Sequence, residues 1–128
     1  MTRLLLVALG GAIGASARYG LGLAALRLAP NAAWPWGTFL ANVVGGLLMG
    51  LLAGWLALRG GAEQETIRLF AAVGVLGGFT TFSAFSLETV LMIERRQWAL
   101  AGGYVLLSAV LAVAALFVGL AIARKLFA

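Results

Sequence analysis

The stretch GVLGGFTTFSAF, residues 74–85, lies in a segment without charge, yet it contains residues that oppose a continuous helix. A helix crossing lipid satisfies its backbone hydrogen bonds internally, because hydrocarbon offers no other partner. Here a glycine pair and a β-branched pair, Gly77-Gly78 and Thr80-Thr81, weaken the helix at the middle of its span. Broken backbone at membrane depth is tolerated where it is buried in protein or lines a polar cavity. The stretch therefore predicts an ion or substrate site.

The composition around this stretch is that of a membrane protein. The 128 residues are 63% hydrophobic and 10% charged, and the mean hydropathy is +1.07. Because about 20 apolar residues cross a bilayer as a helix, the charge-poor runs predict an all-α membrane protein with four transmembrane helices, the third broken at its middle. The approximate bounds are residues 4–28, 37–58, 68–94 and 98–124, which form one domain over residues 1–128. We expect a multi-pass protein of the cell (inner) membrane.

The charged residues exclude several classes of function. Most of them lie in the short connections, so the net charge of +5 reflects arginines at membrane boundaries and needs no nucleic acid partner. The chain has no cysteine and no histidine, which excludes disulfides, thiol chemistry and the usual transition-metal sites. The pattern also places no two carboxylates within reach of one another, so we expect no enzyme.

The N-terminus imitates a secretory signal, because Arg3 precedes an apolar run and an Ala-Ser-Ala motif at residues 15–17. The run continues apolar beyond Arg18, and a chain cleaved there would keep three helices and begin at that arginine. We therefore expect the segment to remain as the first transmembrane helix.

Basic residues are nearly balanced between the two ends of a four-helix bundle. Four spans put both termini and the second connection on one side, and the other two connections opposite. The first side carries five basic residues and the second three: Arg3, Arg59, Arg68, Arg124 and Lys125, against Arg27, Arg95 and Arg96. Under the positive-inside rule, this difference of two basic residues specifies the orientation in the membrane only weakly. Charge alone slightly favours a single topology over insertion both ways with pairing as an antiparallel dimer.

Small residues recur at a spacing of four in the first two spans, as Gly10, Gly14 and Gly22 beside Arg18, and as Gly46, Gly50 and Gly54. Such stripes let helix backbones approach closely in lipid. Packing within one chain and a seam between two chains both remain open. A bundle of this size is thin for a protected pathway, so we expect a homo-oligomer.

Two polar residues stand out in the first two spans. Arg18 lies roughly 21 Å along its helix from Leu4, at ~1.5 Å per residue. It either faces the bundle interior or water, as intramembrane arginines with a function do, or snorkels to the nearer interface. The amide of Asn42 either bonds a neighbouring helix or donates to a passing anion, because an unpaired amide in lipid is costly.

The third span is the richest in polar and aromatic groups. At helical spacing, one face carries Thr81, Phe85 and Glu88, and another carries Phe79, Phe82, Ser83 and Ser86. Aromatic rings have a positive edge, which can line an anion path without binding too tightly. In the fourth span, Tyr104 and Ser108 lie one turn apart, and they either bond within the bundle or continue the hydroxyl track of Ser83.

These residues resemble the Fluc/CrcB family of fluoride channels along the whole chain. The resemblance rests on GGAIGASARY (residues 10–19), WPWGTFLANVVGG (34–46), GVLGGFTTFSAF (74–85) and the Tyr104/Ser108 pair, in that order. It implies an antiparallel, dual-topology homodimer with two pores that passively lets fluoride leave the cell. It further implies a structural sodium ion, not transported, at the dimer centre.

The resemblance also implies roles for single residues. Backbone carbonyls of Gly77 and Thr80 from each subunit would hold the sodium. The anion pathway would contain the Asn42 amide, the rings of Phe82 and Phe85, and the hydroxyl groups of Thr81, Ser83, Tyr104 and Ser108. The vestibules would carry two charges, those of Arg18 and Glu88. One residue departs from the family, since Ala84 stands where threonine is common, which removes one hydroxyl from the track.

Two rival functions stay open. A small dual-topology drug/proton exchanger has a similar length, but it needs a membrane-embedded carboxylate, and the first span has none. A non-transporting membrane assembly subunit is the other rival, and it predicts that Asn42→Ala and Phe82→Ala leave ion flux unchanged.

Overall fold

The computed structural model describes residues 1–128, and all of its regular structure is helical. Four helices are long and apolar enough to cross a membrane, which confirms the predicted number of spans. They are α1 (Thr2–Leu28), α2 (Trp36–Arg59), the third span (Gln64–Glu94) and α4 (Trp98–Phe127). The third span begins four residues before its predicted start, inside the expected second loop. Only 16 of the 128 residues are buried. Most apolar side chains therefore face outward, as a multi-pass membrane protein requires.

The third span is broken, as predicted, into α3a (residues 64–79) and α3b (Ser83–Glu94). The break lies at residues 80–82, where Thr80 has extended backbone with φ −83° and ψ 157°. The expectation that the glycine pair shares in the break is wrong, because Gly77 and Gly78 remain helical. The break therefore lies at the β-branched threonines, and the presence of two glycines before it needs another explanation.

Most of α3a is a π-helix, over Arg68–Leu76. Wide helices of this kind are rare and are found frequently at functional sites. The stretch is apolar apart from Arg68 and contains no proline. No local signal in the sequence predicts it.

The helices pack as two parallel pairs, α1 with α3a and α2 with α4. Glycines lie in both contacts: a methyl group on Gly14 would lie 2.8 Å from Phe79 N, and one on Gly46 would lie 2.7 Å from Ala112 O. At the end of the second pair, Arg59 Nε donates to Phe127 O at 2.9 Å. Gly46, Gly50 and Gly54 thus serve packing within the chain, as do Gly10 and Gly14, whereas Gly22 borders Gly37 of α2.

A small aromatic core closes one end of the bundle, where the first connection meets α2 and α4. The ring of Trp34 packs edge-on against Phe39 and against Tyr104, with centroids 5.3 Å apart in both pairs. Tyr104 is completely buried. This cluster holds Trp34 in place where the first connection meets α2 and α4.

Candidate anion pathway and helix break

A cavity of about 420 Å³ lies between α1, the first connection and α3b. It is lined by residues of both charges, Arg18 and Glu88, together with Trp34 and Thr38. These two charges form no salt bridge, since the protein's one salt bridge joins Glu65 and Arg68 on the exposed start of α3a. Arg18 is half-buried, and its Nε donates to the carbonyl of Gly78 at 3.4 Å. The arginine therefore points toward the bundle interior.

A second cavity of similar volume lies at the break, between α2 and α4. Six of the predicted site residues line it, and the small residues of α2 and α4 form its floor; the six are Asn42, Thr80, Thr81, Phe82, Phe85 and Ser108. The Phe82 side chain is 79% exposed in the single chain, while the ring of Phe85 is half-buried and lies 5.6 Å from it. The groove is thus open on the side of Phe82.

Tyr104 lies between the two cavities. Its ring centroid is 5.1 Å from Phe85, which lines the second cavity, and 5.3 Å from Trp34, which lines the first. The side chains of Thr38 and Glu88 are its polar neighbours. One continuous row of polar and aromatic groups therefore connects the cavity beside Arg18 with the cavity at the break.

Four buried polar atoms in this region have no hydrogen-bond partner: Trp34 Nε1, Glu88 Oε1, Tyr104 OH and Ser108 Oγ. Native proteins pair the great majority of such atoms, and each exception points to water, an ion or a function. Tyr104 OH and Ser108 Oγ form no bond of hydrogen-bond geometry in the single chain, and the nearest polar side chains to the tyrosine hydroxyl are those of Thr38 and Glu88. Ser108 lines the second cavity, whereas Tyr104 is completely buried between the two cavities.

Asn42 and Thr81 hold the break together through two hydrogen bonds. The amide Nδ2 of Asn42 donates to Thr81 O at 2.9 Å, and Thr81 N donates to Asn42 Oδ1 at 2.8 Å. The helix-to-helix bond considered for Asn42 is therefore present, and it uses one of the two amide N–H groups. The other N–H forms no bond to protein, and the residue also lines the second cavity.

The hydroxyl of Thr81 forms a hydrogen bond with the first turn of α3b. It accepts a hydrogen bond from Ala84 N at 3.1 Å and lies 3.3 Å from the hydroxyl of Ser83. One of the unpaired N–H groups of the first turn is thereby satisfied. Ser83 itself is exposed and is not among the residues that line the second cavity, so the structure does not join it to Tyr104 and Ser108.

The break leaves backbone oxygens that suit a hard cation. Gly77 O and Thr80 O accept no backbone or side-chain hydrogen bond, and no group of three acidic, histidine or cysteine side chains exists to hold a metal ion. Hard cations such as sodium are bound by oxygen ligands, backbone carbonyls included. The predicted ligand residues therefore fit the ion chemically. The ligand atoms would be backbone oxygens, which the side chains written in a sequence do not reveal.

Sequence reasoning missed two residues of the site. Thr38 lies four positions before Asn42, so both occupy one face of α2, and that spacing is a signal that could have found it. Trp34 lies in the first connection, where tryptophan is typical of the membrane interface, but its indole N–H is buried beside the first cavity. Only the packing of the first connection against Tyr104 places it there.

Comparison with known proteins identifies close relatives over the full chain. The profile of the family described as CrcB-like protein, Camphor Resistance (CrcB), matches residues 5–120. A protein of Caulobacter sp. (strain K31) named fluoride-specific ion channel FluC is 64% identical over 99% of this chain and 98% of its own length. Proteins with that name from Phenylobacterium zucineum and Agrobacterium fabrum are 65% and 51% identical, over 100% and 99% of this chain and the full length of each relative.

Proposed function

Because the chain belongs to the CrcB-like family, we propose that it is a fluoride-selective ion channel that exports fluoride passively and so lowers its cytoplasmic concentration. The relatives named as fluoride-specific ion channels support the choice of ion. The observation in this chain that carries the proposal is the set of four buried polar atoms without a hydrogen-bond partner at the two cavities and between them: Trp34 Nε1, Glu88 Oε1, Tyr104 OH and Ser108 Oγ. Fluoride is small and strongly hydrated, and it needs hydrogen-bond donors to replace its water.

The geometry suggests an order of events along the pathway. The Arg18 guanidinium raises the local concentration of anions in the first cavity. Hydroxyl donors of Tyr104 and Ser108, with the free N–H of Asn42, then replace the water that the ion loses in the narrow region. The rings of Phe82 and Phe85 present their positive edges to an anion without binding it strongly. Selectivity follows from pore width and from the number of donors.

The functional unit in this proposal is an antiparallel homodimer in the bilayer. Phe82 is largely exposed and Gly77 is exposed, although both border the proposed site. A second copy at the break would cover both residues and close the groove of the second cavity. Carbonyls of Gly77 and Thr80 from each copy would then hold a sodium ion. When bound, this ion supplies a fixed positive charge that neutralises the unpaired oxygens.

Fluoride efflux from liposomes containing the purified protein tests the activity. We expect fluoride to leave in response to its own gradient, with chloride efflux at least about a hundredfold slower, which corresponds to ~2.7 kcal/mol of discrimination. Equal flux of both anions would contradict fluoride selectivity. Absence of any flux would favour the assembly-subunit alternative, and uptake of a cationic drug against a proton gradient would favour the exchanger.

Cysteine labelling tests the dual topology, because the native chain has no cysteine. Gly61 lies in the second connection, and a Cβ there would meet no atom within 4 Å, so Gly61→Cys is a suitable probe. In intact cells, a membrane-impermeant maleimide should label about half of the copies if insertion occurs both ways. Gln97→Cys, in the third connection, is the matched control on the opposite side. Complete labelling of one variant and none of the other would show a single topology.

A further inference from the structure

We infer that Arg18 and Asn42 are positioning residues that determine which carbonyls at the helix break are free to bind a cation. The inference rests on the proposed function, because that proposal supplies the cation. It adds a role to both residues, which are otherwise parts of the anion pathway. Each side chain forms a hydrogen bond at or next to the break while lining a cavity: Arg18 bonds Gly78 O and lines the first cavity, and Asn42 bonds Thr81 N and O and lines the second.

An account of the carbonyls around the break supports this role. Leu76 O accepts bonds from both the N–H and the hydroxyl of Thr80, each at 3.0 Å. Two further carbonyls accept side-chain donors, Gly78 O from Arg18 and Thr81 O from Asn42. The oxygens that accept no donor are those of Gly77, Phe79 and Thr80. The two side chains thus bond Gly78 O and Thr81 O, which leaves Gly77 O free before the first of these and Phe79 O and Thr80 O free between them.

The chemistry of the two donors suits such a selection. Arginine cannot be deprotonated in proteins, and its fork leaves the terminal N–H groups free for an anion while Nε holds Gly78 O. Asn42 presents a donor to the carbonyl and an acceptor to the N–H of the same residue, so it restrains both peptide units that flank Thr81, as a neighbouring strand would. A change in either residue releases a carbonyl and lets the extended backbone at Thr80 rotate. Cation binding and anion passage are therefore coupled through these two side chains.

Sodium titration of thermal stability tests the inference without a transport measurement. A ligand that binds the folded state raises the melting temperature with its concentration. We expect sodium, added in place of potassium at constant ionic strength, to stabilise the purified wild-type protein. Arg18→Lys keeps the charge but lacks the Nε donor, and it should require about tenfold more sodium for the same stabilisation, the equivalent of ~1.4 kcal/mol. Asn42→Ala should shift the titration in the same direction.

Arg27→Lys is the matched control, because Arg27 is an exposed arginine at the end of the same helix. Its sodium titration should coincide with that of the wild type. A titration of Arg18→Lys and Asn42→Ala that also coincides with the wild type would overturn the inference, even if fluoride flux falls. A wild-type protein that does not respond to sodium would overturn it too, together with the cation site, while the liposome assay judges the fluoride channel separately.

Discussion

Two neighbouring regions of the third span differ in how their backbone is packed and bonded. They are the glycine contact of α3a with α1 and the break at residues 80–82. In the contact, backbone lies directly against backbone, and Gly14 and Gly78 leave no room for a side chain. At the break, side chains of distant helices replace hydrogen bonds that the helix has lost. The first region is filled and paired, whereas the second keeps free oxygens and borders unpaired hydroxyls. Substitutions in the two regions should therefore affect different properties.

Gly14→Val should produce the largest effect, a loss of folded protein. The added side chain would meet Phe79 N at 2.8 Å and the Val75 carbonyl carbon at 2.9 Å, and backbone atoms cannot yield as a side-chain end can. Overpacking typically costs ~1–3 kcal/mol, and here we expect the upper end or more. Thermal melting and size-exclusion profiles measure the loss. Gly20→Val is the control, because a Cβ at Gly20 meets no atom within 4 Å; equal stability of both variants would contradict the glycine contact.

Phe82→Ala should have the next largest effect, on transport rather than on folding of the single chain. The ring is 79% exposed and lines the cavity at the break, so its removal takes away a positive ring edge without opening a core. We expect fluoride flux to fall at least about tenfold, or ~1.4 kcal/mol. Phe117→Ala removes a ring that is 71% exposed elsewhere on α4 and should retain wild-type flux. Similar flux through the two variants would remove Phe82 from the pathway.

Ser108→Ala should separate stability from transport. The hydroxyl is buried and has no partner, so its removal takes away a desolvated polar group and should leave the melting temperature unchanged or slightly raised. Fluoride flux should fall by about threefold to tenfold, the loss of roughly 1 kcal/mol of ion stabilisation. Ser16→Ala changes an exposed serine of α1 and serves as the control in both measurements. A clear loss of stability in Ser108→Ala would mean that the hydroxyl has a structural partner.

Ala84→Thr should have the smallest effect. The residue follows the break, and its N–H already bonds the hydroxyl of Thr81, so the added hydroxyl enters a region where the backbone is satisfied. We expect fluoride flux to change by less than about twofold, under 0.5 kcal/mol. Liposome efflux beside the wild type measures it. A large gain in flux would show that the missing hydroxyl limits conduction in this chain.

The sequence predicted the number of spans and the existence of the break, because hydropathy and helix propensity act over short distances along the chain. It misjudged the break by assigning a part of it to Gly77-Gly78. In the structure Gly78 is required for close approach, since a Cβ there would lie 2.6 Å from Gly11 O. A glycine that breaks a helix and a glycine that admits a neighbouring helix look the same in sequence. The partner helix alone distinguishes them.

The sequence could predict which residues form the candidate site, but not which of their atoms form hydrogen bonds with one another. Asn42 and Thr81 are separated by 39 positions, and Arg18 and Gly78 by 60, so no local pattern states that they bond. Thr38 was within reach of a helical-spacing argument from Asn42. The buried indole of Trp34 was not, because its place depends on the packing of the first connection.

By itself, the sequence determined a four-span membrane protein with a weak point in the third span, because the transfer of side chains into lipid and the local cost of bending a helix are properties of short segments. The tertiary structure decided where the third span breaks, which glycines serve packing, and which carbonyls and hydroxyls remain unpaired. Those outcomes depend on contacts between helices, and an atom is free or bonded only with respect to its neighbours in space. The region that a ligand would use is the one where polar atoms have no hydrogen-bond partner in a neighbouring helix.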